Sequence, residues 1–99
     1  SFANEMKQIC DGLNIDYDKV VEYSTYDERL GKSHWAVPGP DGKLGFGGSC
    51  FPKDLNALIH LARNLETSLN TIGGAWDTNL DVRPEEDWKE LKGRAVVDE

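Results

Sequence analysis

The segment Gly45-Phe-Gly-Gly-Ser-Cys-Phe-Pro-Lys-Asp54 gathers the residue types in this chain that are best suited to chemistry. Glycines at 45, 47 and 48 carry no side chain, so backbone N–H groups there can approach a ligand closely. N–H groups that lead into a helix N-terminus suit an anion, or an oxyanion that develops during reaction. Cys50 falls where such a helix would begin, and Lys53 follows one turn later. The positive end of a helix and a nearby ammonium both favour the thiolate, the nucleophilic form of cysteine. Asp54, four residues after Cys50, shares nearly the same helical face and suits holding a water or a reacting hydroxyl. The second cysteine, Cys10, lies on the apolar stripe of a helical pattern and reads as core.

Other chemistries lack their residues. His34 and His60 are far apart and have no Cys or carboxylate at ligand spacing, so no metal site is expected. Gly45-x-Gly47 is not a dinucleotide fingerprint, because Cys50 occupies the third glycine position and no alternating strand precedes it. The Gly-x-x-x-x-Gly-Lys phosphate loop is missing, and nothing in the spacing supports a Ser–His–Asp triad. The acidic run Glu85 to Asp87 reads as a solvated helix start.

Helices must position the cysteine. Phe2, Met6, Ile9, Cys10 and Leu13 share one face, which predicts an amphipathic helix over Phe2–Leu13 ending near Gly12 and Asn14. Asp16 caps a short second helix with Tyr17, Val20, Val21 and Tyr23 as apolar positions. Residues 31–50 hold six of the ten glycines, together with Pro38 and Pro40 in a turn-forming run. A connector near twenty residues is long for a small helical domain, where about two to eight is usual. His34, Trp35 and Phe46 give this loop apolar anchors, and residues 32–44 are expected to be its most mobile part. Pro52 then suits a first helical turn and Asp54 its positive end. Leu55, Leu58, Ile59, Ala62 and Leu65 predict a helix facing a core. A further helix is expected from Thr67 to about Leu80, with Leu69, Ile72, Trp76 and Leu80 on one face. Pro84 opens a last turn, and Ala95-Val-Val97 has strand character but no partner strand. The fold class is therefore all-α: four to five helices with one long glycine- and proline-rich loop before Cys50.

Ninety-nine residues suit one modest domain. Lys and Arg number 11 against 18 Asp and Glu, for a net charge of −7. The pI is about 4.7 and the mean hydropathy −0.56. Such an acidic, slightly polar chain repels phosphate backbones, so neither nucleic acid nor an anionic membrane is expected as a partner. No apolar run approaches the roughly 20 residues of a membrane helix. Two cysteines do not make a disulfide scaffold, and reduced thiols in the cytoplasm are the simpler expectation. The start at Ser1, without Met or a signal segment, suggests a trimmed or partial product.

The run from Gly45 to Leu58 resembles the catalytic-cysteine motif of the nucleotide-sugar dehydrogenases, most closely the members that oxidise UDP-glucose. The likeness extends back through Cys10-Asp-Gly-Leu-Asn14 and Asp27-Glu-Arg-Leu-Gly31, and forward through Asn79-Leu-Asp-Val-Arg83. It implies that residues 1–92 correspond to the helical central domain of such an enzyme and residues 93–99 to a tail, with the Rossmann and C-terminal domains outside the chain. The implied reaction is a two-step, NAD-dependent oxidation of UDP-glucose to UDP-glucuronate, with a GDP-mannose enzyme as sibling. By the same resemblance Cys50 is the nucleophile, Asp54 positions the hydrolytic water, and Lys53 lies near the NAD. Gly45, Phe46, Gly47, Gly48 and Ser49 wrap the sugar nucleotide. Arg29 takes a position that reaches the substrate of a neighbouring subunit, and the first helix builds a homodimer. A Lys and an Asn spaced K-x-x-x-N would lie just before Ser1, so the chain alone is expected to be inactive. The rival reading is a non-catalytic helical module that dimerises or binds a partner.

Overall fold

The computed structural model describes residues 1–90. All regular structure among them is helical, in the order α1 Phe2–Leu13, α2 Tyr17–Ser24, α3 Phe51–Asn64, α4 Asn70–Val82, then a short 3₁₀ turn at Asp87–Glu90. The strand-like Ala95-Val-Val97 lies outside the described residues. No described helix is long and apolar enough to cross a membrane. The chain divides into two compact units, residues 2–44 and residues 45–90 with Ser1.

In the first unit, α1 ends where its sequence predicts. Asn14 adopts a left-handed conformation (φ 55°), and the N–H of Ile15 returns to the carbonyl of Cys10 at 2.8 Å. That closes the helix with a residue whose short amide side chain tolerates positive φ. Asp16 then caps α2, its carboxylate accepting from the N–H groups of Asp18 and Lys19. Of the expected apolar faces, Cys10 and Tyr17 are buried. Phe2, Ile9, Leu13 and Tyr23 are 54–65% exposed, and the buried partners on α1 are instead Ala3 and Asn4. The loop folds onto this unit through Trp35. Its carbonyl accepts from the Tyr17 hydroxyl at 2.5 Å, its ring meets Phe2 edge-on, and its indole N–H donates to Gly31. The peptide Val37–Pro38 is cis, and Gly39 and Lys43 close a turn.

In the second unit, α3 and α4 pack on each other. Pro52 occupies the first turn of α3, where its missing N–H costs nothing. Ile59 and Ala62 are buried, but Leu58 and Leu65, expected in the core, are 46% and 66% exposed. Helix α4 begins at Asn70 rather than Thr67 and runs to Val82. The cause is local: Glu66 turns left-handed (φ 55°), and the N–H of Thr67 closes α3 on the Ala62 carbonyl at 2.9 Å. Thr67 therefore belongs to the end of one helix and cannot start the next. Leu69, Ile72, Trp76 and Leu80 are half-buried as an apolar face. The deepest positions of α4 and its C-cap are polar, with Asn79 at 0% and Arg83 at 2% exposure.

Candidate functional site

Cys50 is the N-cap residue of α3, with its thiol exposed. Its carbonyl starts the helix by accepting from the Asp54 N–H at 2.8 Å, and its sulfur lies 3.8 Å from the Ser49 hydroxyl. Lys53 and Asp54 project from the first turn, half-exposed and exposed, with Lys53 Nζ 3.4 Å from Asp54 Oδ1. Cys50, Lys53 and Asp54 thus sit together at one solvent-facing helix start. Cys10 is 4% exposed. Arg29 belongs to the other unit, where it is exposed and grips Asp27 with Nε at 3.0 Å and Nη2 at 2.7 Å. That guanidinium holds the Asp27 carboxyl below the usual carboxylate range.

The glycine loop is held from beneath by α4 and the 3₁₀ turn that follows it. The Asn79 side-chain oxygen accepts from the Phe46 N–H at 2.7 Å, and its amide donates to the Phe46 carbonyl at 2.9 Å. Every polar group of this fully buried amide must be matched, which makes Asn79 a rigid two-point grip on one peptide. Four residues later, Arg83 donates to Asp87 through Nε (2.8 Å) and Nη2 (3.2 Å). Asp87 also accepts, at a long 3.4 Å, from the Gly48 N–H. Arg83 and, to a smaller degree, the Gly48 N–H hold the Asp87 carboxyl below its usual range, although burial pushes the other way. Aromatic rings fasten the same loop: Phe46 packs edge-on to Phe51 and tilts against Trp76, which in turn tilts against the buried Trp88 at 5.2 Å between centroids.

This geometry changes the reading of the glycines. A Cβ on Gly45 would overlap Asn79 Oδ1, and one on Gly47 would lie 2.5 Å from Asp87 Oδ1 and 2.6 Å from Arg83 Nη2. The space at those two positions is taken by side chains of this chain. Gly48 has open space around its Cβ position but a φ of +77°, which an L-residue adopts only at a cost. The N–H of Phe46 is spent on α4 and that of Gly48 on Asp87 in the following 3₁₀ turn, whereas those of Gly47, Ser49 and Cys50 make no hydrogen bond among the described residues.

Two corrections follow for the acidic run. Residues 85–87 do not start an α-helix, and Asp87 is a half-buried partner of Arg83, not a freely solvated charge. Asn79, Arg83 and Asp87 are the residues that pattern reading missed. Their signal was available: polar residues at i, i+4 and i+8, with a carboxylate four residues after an Arg. An open groove of about 560 Å³ between α3 and α4, walled by Ile59, Arg63, Trp76 and Asp77, includes none of the residues 45–54. Among the described residues, no three His, Cys, Asp or Glu side chains converge as metal ligands.

Comparison with known proteins bears on the same segment. The family model for the central domain of the UDP-glucose/GDP-mannose dehydrogenase family matches residues 1–81. The chain is 42% identical over 66 residues to UDP-glucose 6-dehydrogenase YwqF of Bacillus subtilis, covering 67% of the chain and 14% of that protein. It is 34% identical over 83 residues to UDP-glucose 6-dehydrogenase TuaD of the same species, covering 84% and 17%. It is also 32% identical over 80 residues to GDP-mannose 6-dehydrogenase of Pseudomonas aeruginosa, covering 80% and 17%. The chain therefore spans only 14–17% of the length of these relatives. No solved structure matches it.

Proposed function

The chain belongs to the UDP-glucose/GDP-mannose dehydrogenase family, whose central domain it matches, and we propose that it carries the covalent part of a UDP-glucose 6-dehydrogenase active site. The observation that supports this reading is Cys50. It is an exposed thiol at the start of α3, presented by a loop whose backbone α4 grips, within a segment that matches the family.

Two oxidations separate a primary alcohol from a carboxylate, and NAD, when bound, accepts the hydride of each. The described residues contain no strand followed by a glycine turn and helix, the cradle that a dinucleotide needs. What they offer the cofactor is Lys53, 49% exposed on the first turn of α3. Between the oxidations, Cys50 Sγ adds to the aldehyde carbon and the carbonyl oxygen gains a proton, giving a thiohemiacetal. Loss of the second hydride and of that proton leaves a thioester on Cys50. A water held with the help of Asp54 then attacks the acyl carbon, the C–S bond breaks and the thiol is restored. The N–H groups of Gly47, Ser49 and Cys50 face the sugar nucleotide together with the Ser49 side chain, while Phe46 and the glycines hold the loop that wraps it. Arg29, exposed on the other unit, serves the substrate site of a neighbouring subunit.

This reading places the protein in the cytoplasm as a homodimer. Self-association is supported by α1, on which Phe2, Ile9 and Leu13 are 63%, 54% and 65% exposed. Light scattering that finds only monomer at high concentration would remove the dimer. The activity is tested by NAD reduction in the protein that carries this chain, supplied with UDP-glucose or GDP-mannose. UDP-glucose is the expected substrate, and Cys50→Ala should abolish its conversion to UDP-glucuronate. Preference for GDP-mannose would reassign the substrate, and full turnover by Cys50→Ala would remove the nucleophile.

A further inference from the structure

We infer that Asn79 and the Arg83–Asp87 pair are positioning residues for Cys50, acting through the backbone of residues 45–48. This rests on Cys50 being the nucleophile. A loop without regular structure is held only by the contacts made to it. Six glycines in residues 31–50 make the segment conformationally permissive, and only specific contacts can select one backbone path. α4 and the 3₁₀ turn after it supply those contacts at alternate peptides. Asn79 takes both the N–H and the carbonyl of Phe46, and Asp87 takes the N–H of Gly48. Arg83 fixes Asp87 and fills the volume beside Gly47. With the Phe46 N–H turned toward α4 and the Gly48 N–H toward the 3₁₀ turn, the intervening Gly47 N–H and the following Ser49 and Cys50 N–H groups are left for a ligand. The grip thus sets which N–H groups meet the substrate, and it sets how Cys50 enters α3.

Glycines 45 and 47 complete the device. Each is a position where any side chain would strike the residue that grips the loop. The arrangement lies partly beyond the matched residues 1–81, since Arg83 and Asp87 follow them.

Amide exchange measured by NMR, with iodoacetamide alkylation of Cys50, tests the inference without substrate. Asn79→Ala should speed exchange of the Phe46 N–H by about tenfold, the loss of one buried hydrogen bond. Exchange of Ile59 and Ala62 in α3 should stay as in the wild type, while Cys50 alkylation slows by about threefold or more as its helix-start setting loosens. Unchanged Phe46 exchange, or a Cys50 rate that is unchanged or faster although Phe46 is freed, would overturn the inference. Asn79 is fully buried, so that variant risks the fold. Asp87, with its side chain 28% exposed, gives an independent test. Asp87→Ala should free Gly48 and slow Cys50, whereas Asp87→Asn, which keeps an amide oxygen for Gly48, should restore at least half of the Cys50 rate. Equal effects of the two substitutions, or accelerated exchange throughout α3, would show a purely structural role and overturn it. Failure of the nucleophile reading is seen separately, as turnover by Cys50→Ala.

Discussion

Gly47→Ala isolates the packing beneath the loop from backbone strain. Gly47 does not have a positive φ, so alanine meets no left-handed penalty there. It does meet three atoms of an ion pair: Asp87 Oδ1 at 2.5 Å, Arg83 Nη2 at 2.6 Å and Arg83 Cζ at 2.7 Å. Arg83 is 2% exposed and cannot swing into solvent, so either the pair opens or the loop lifts. Overpacking costs about 1–3 kcal/mol. Disrupting a buried pair costs about 3–5 kcal/mol, a figure to be reduced here because Asp87 is partly solvated. A net loss of about 2–4 kcal/mol follows, a large share of the roughly 5–15 kcal/mol that holds a domain folded. With a urea slope of about 1–2 kcal/mol/M, the midpoint falls by about 2 M. Urea unfolding followed by tryptophan fluorescence reads this, since Trp76 and Trp88 pack together within the same unit. Gly48→Ala is the contrast: nothing lies within 4 Å of its Cβ and φ is +77°, so only the left-handed penalty of about 1–2 kcal/mol applies. If Gly47→Ala unfolds at the wild-type midpoint, or costs less than Gly48→Ala, the reasoning about Arg83 and Asp87 is refuted.

Cys50 should react with iodoacetamide at least about tenfold faster than Cys10, which is 4% exposed, and peptide mass mapping distinguishes them. Asp87 titrates below its ordinary value in the folded chain. Its contribution is therefore complete above the unfolded carboxylate pKa of about 3.9 and is lost as pH falls through the lower native value. Asp87→Asn should accordingly flatten that part of the acid limb of a stability–pH curve. Glu66→Gly should stabilise by about 1 kcal/mol in urea, because Glu66 closes α3 at φ 55°. Gly74→Ala, inside α4 with nothing within 4 Å of its Cβ, should add about 0.5–1 kcal/mol.

The elements that were legible in the sequence are those governed by local rules. α1 and α2 follow from apolar spacing plus Asn14 and Asp16, each of which acts on its own neighbours. Pro52 and the periodicity after it locate α3 in the same way. The start of α4 was less legible, because no glycine marks the left-handed residue that ends α3, and Glu66 is an uncommon choice there. Burial was legible only in part, since which leucines of α3 reach a neighbour depends on packing that periodicity does not encode. At the candidate site, Cys50 and its helix start were readable, but the grip was not. Apolar pattern reading treats Asn79 and Arg83 as surface, yet they are buried, because the loop backbone 33 residues away supplies the partners of Asn79. Long-range matching of polar groups leaves only a faint trace in sequence, here two glycines at i and i+2.

The most direct test of the central claim is mass analysis of the Cys50 peptide from the protein carrying this chain, acid-quenched during turnover of UDP-glucose with NAD. A glucuronyl thioester of the sugar nucleotide on Cys50, with Cys10 unmodified, is the predicted result. Turnover with Cys50 unmodified, or an adduct on Cys10, would contradict it.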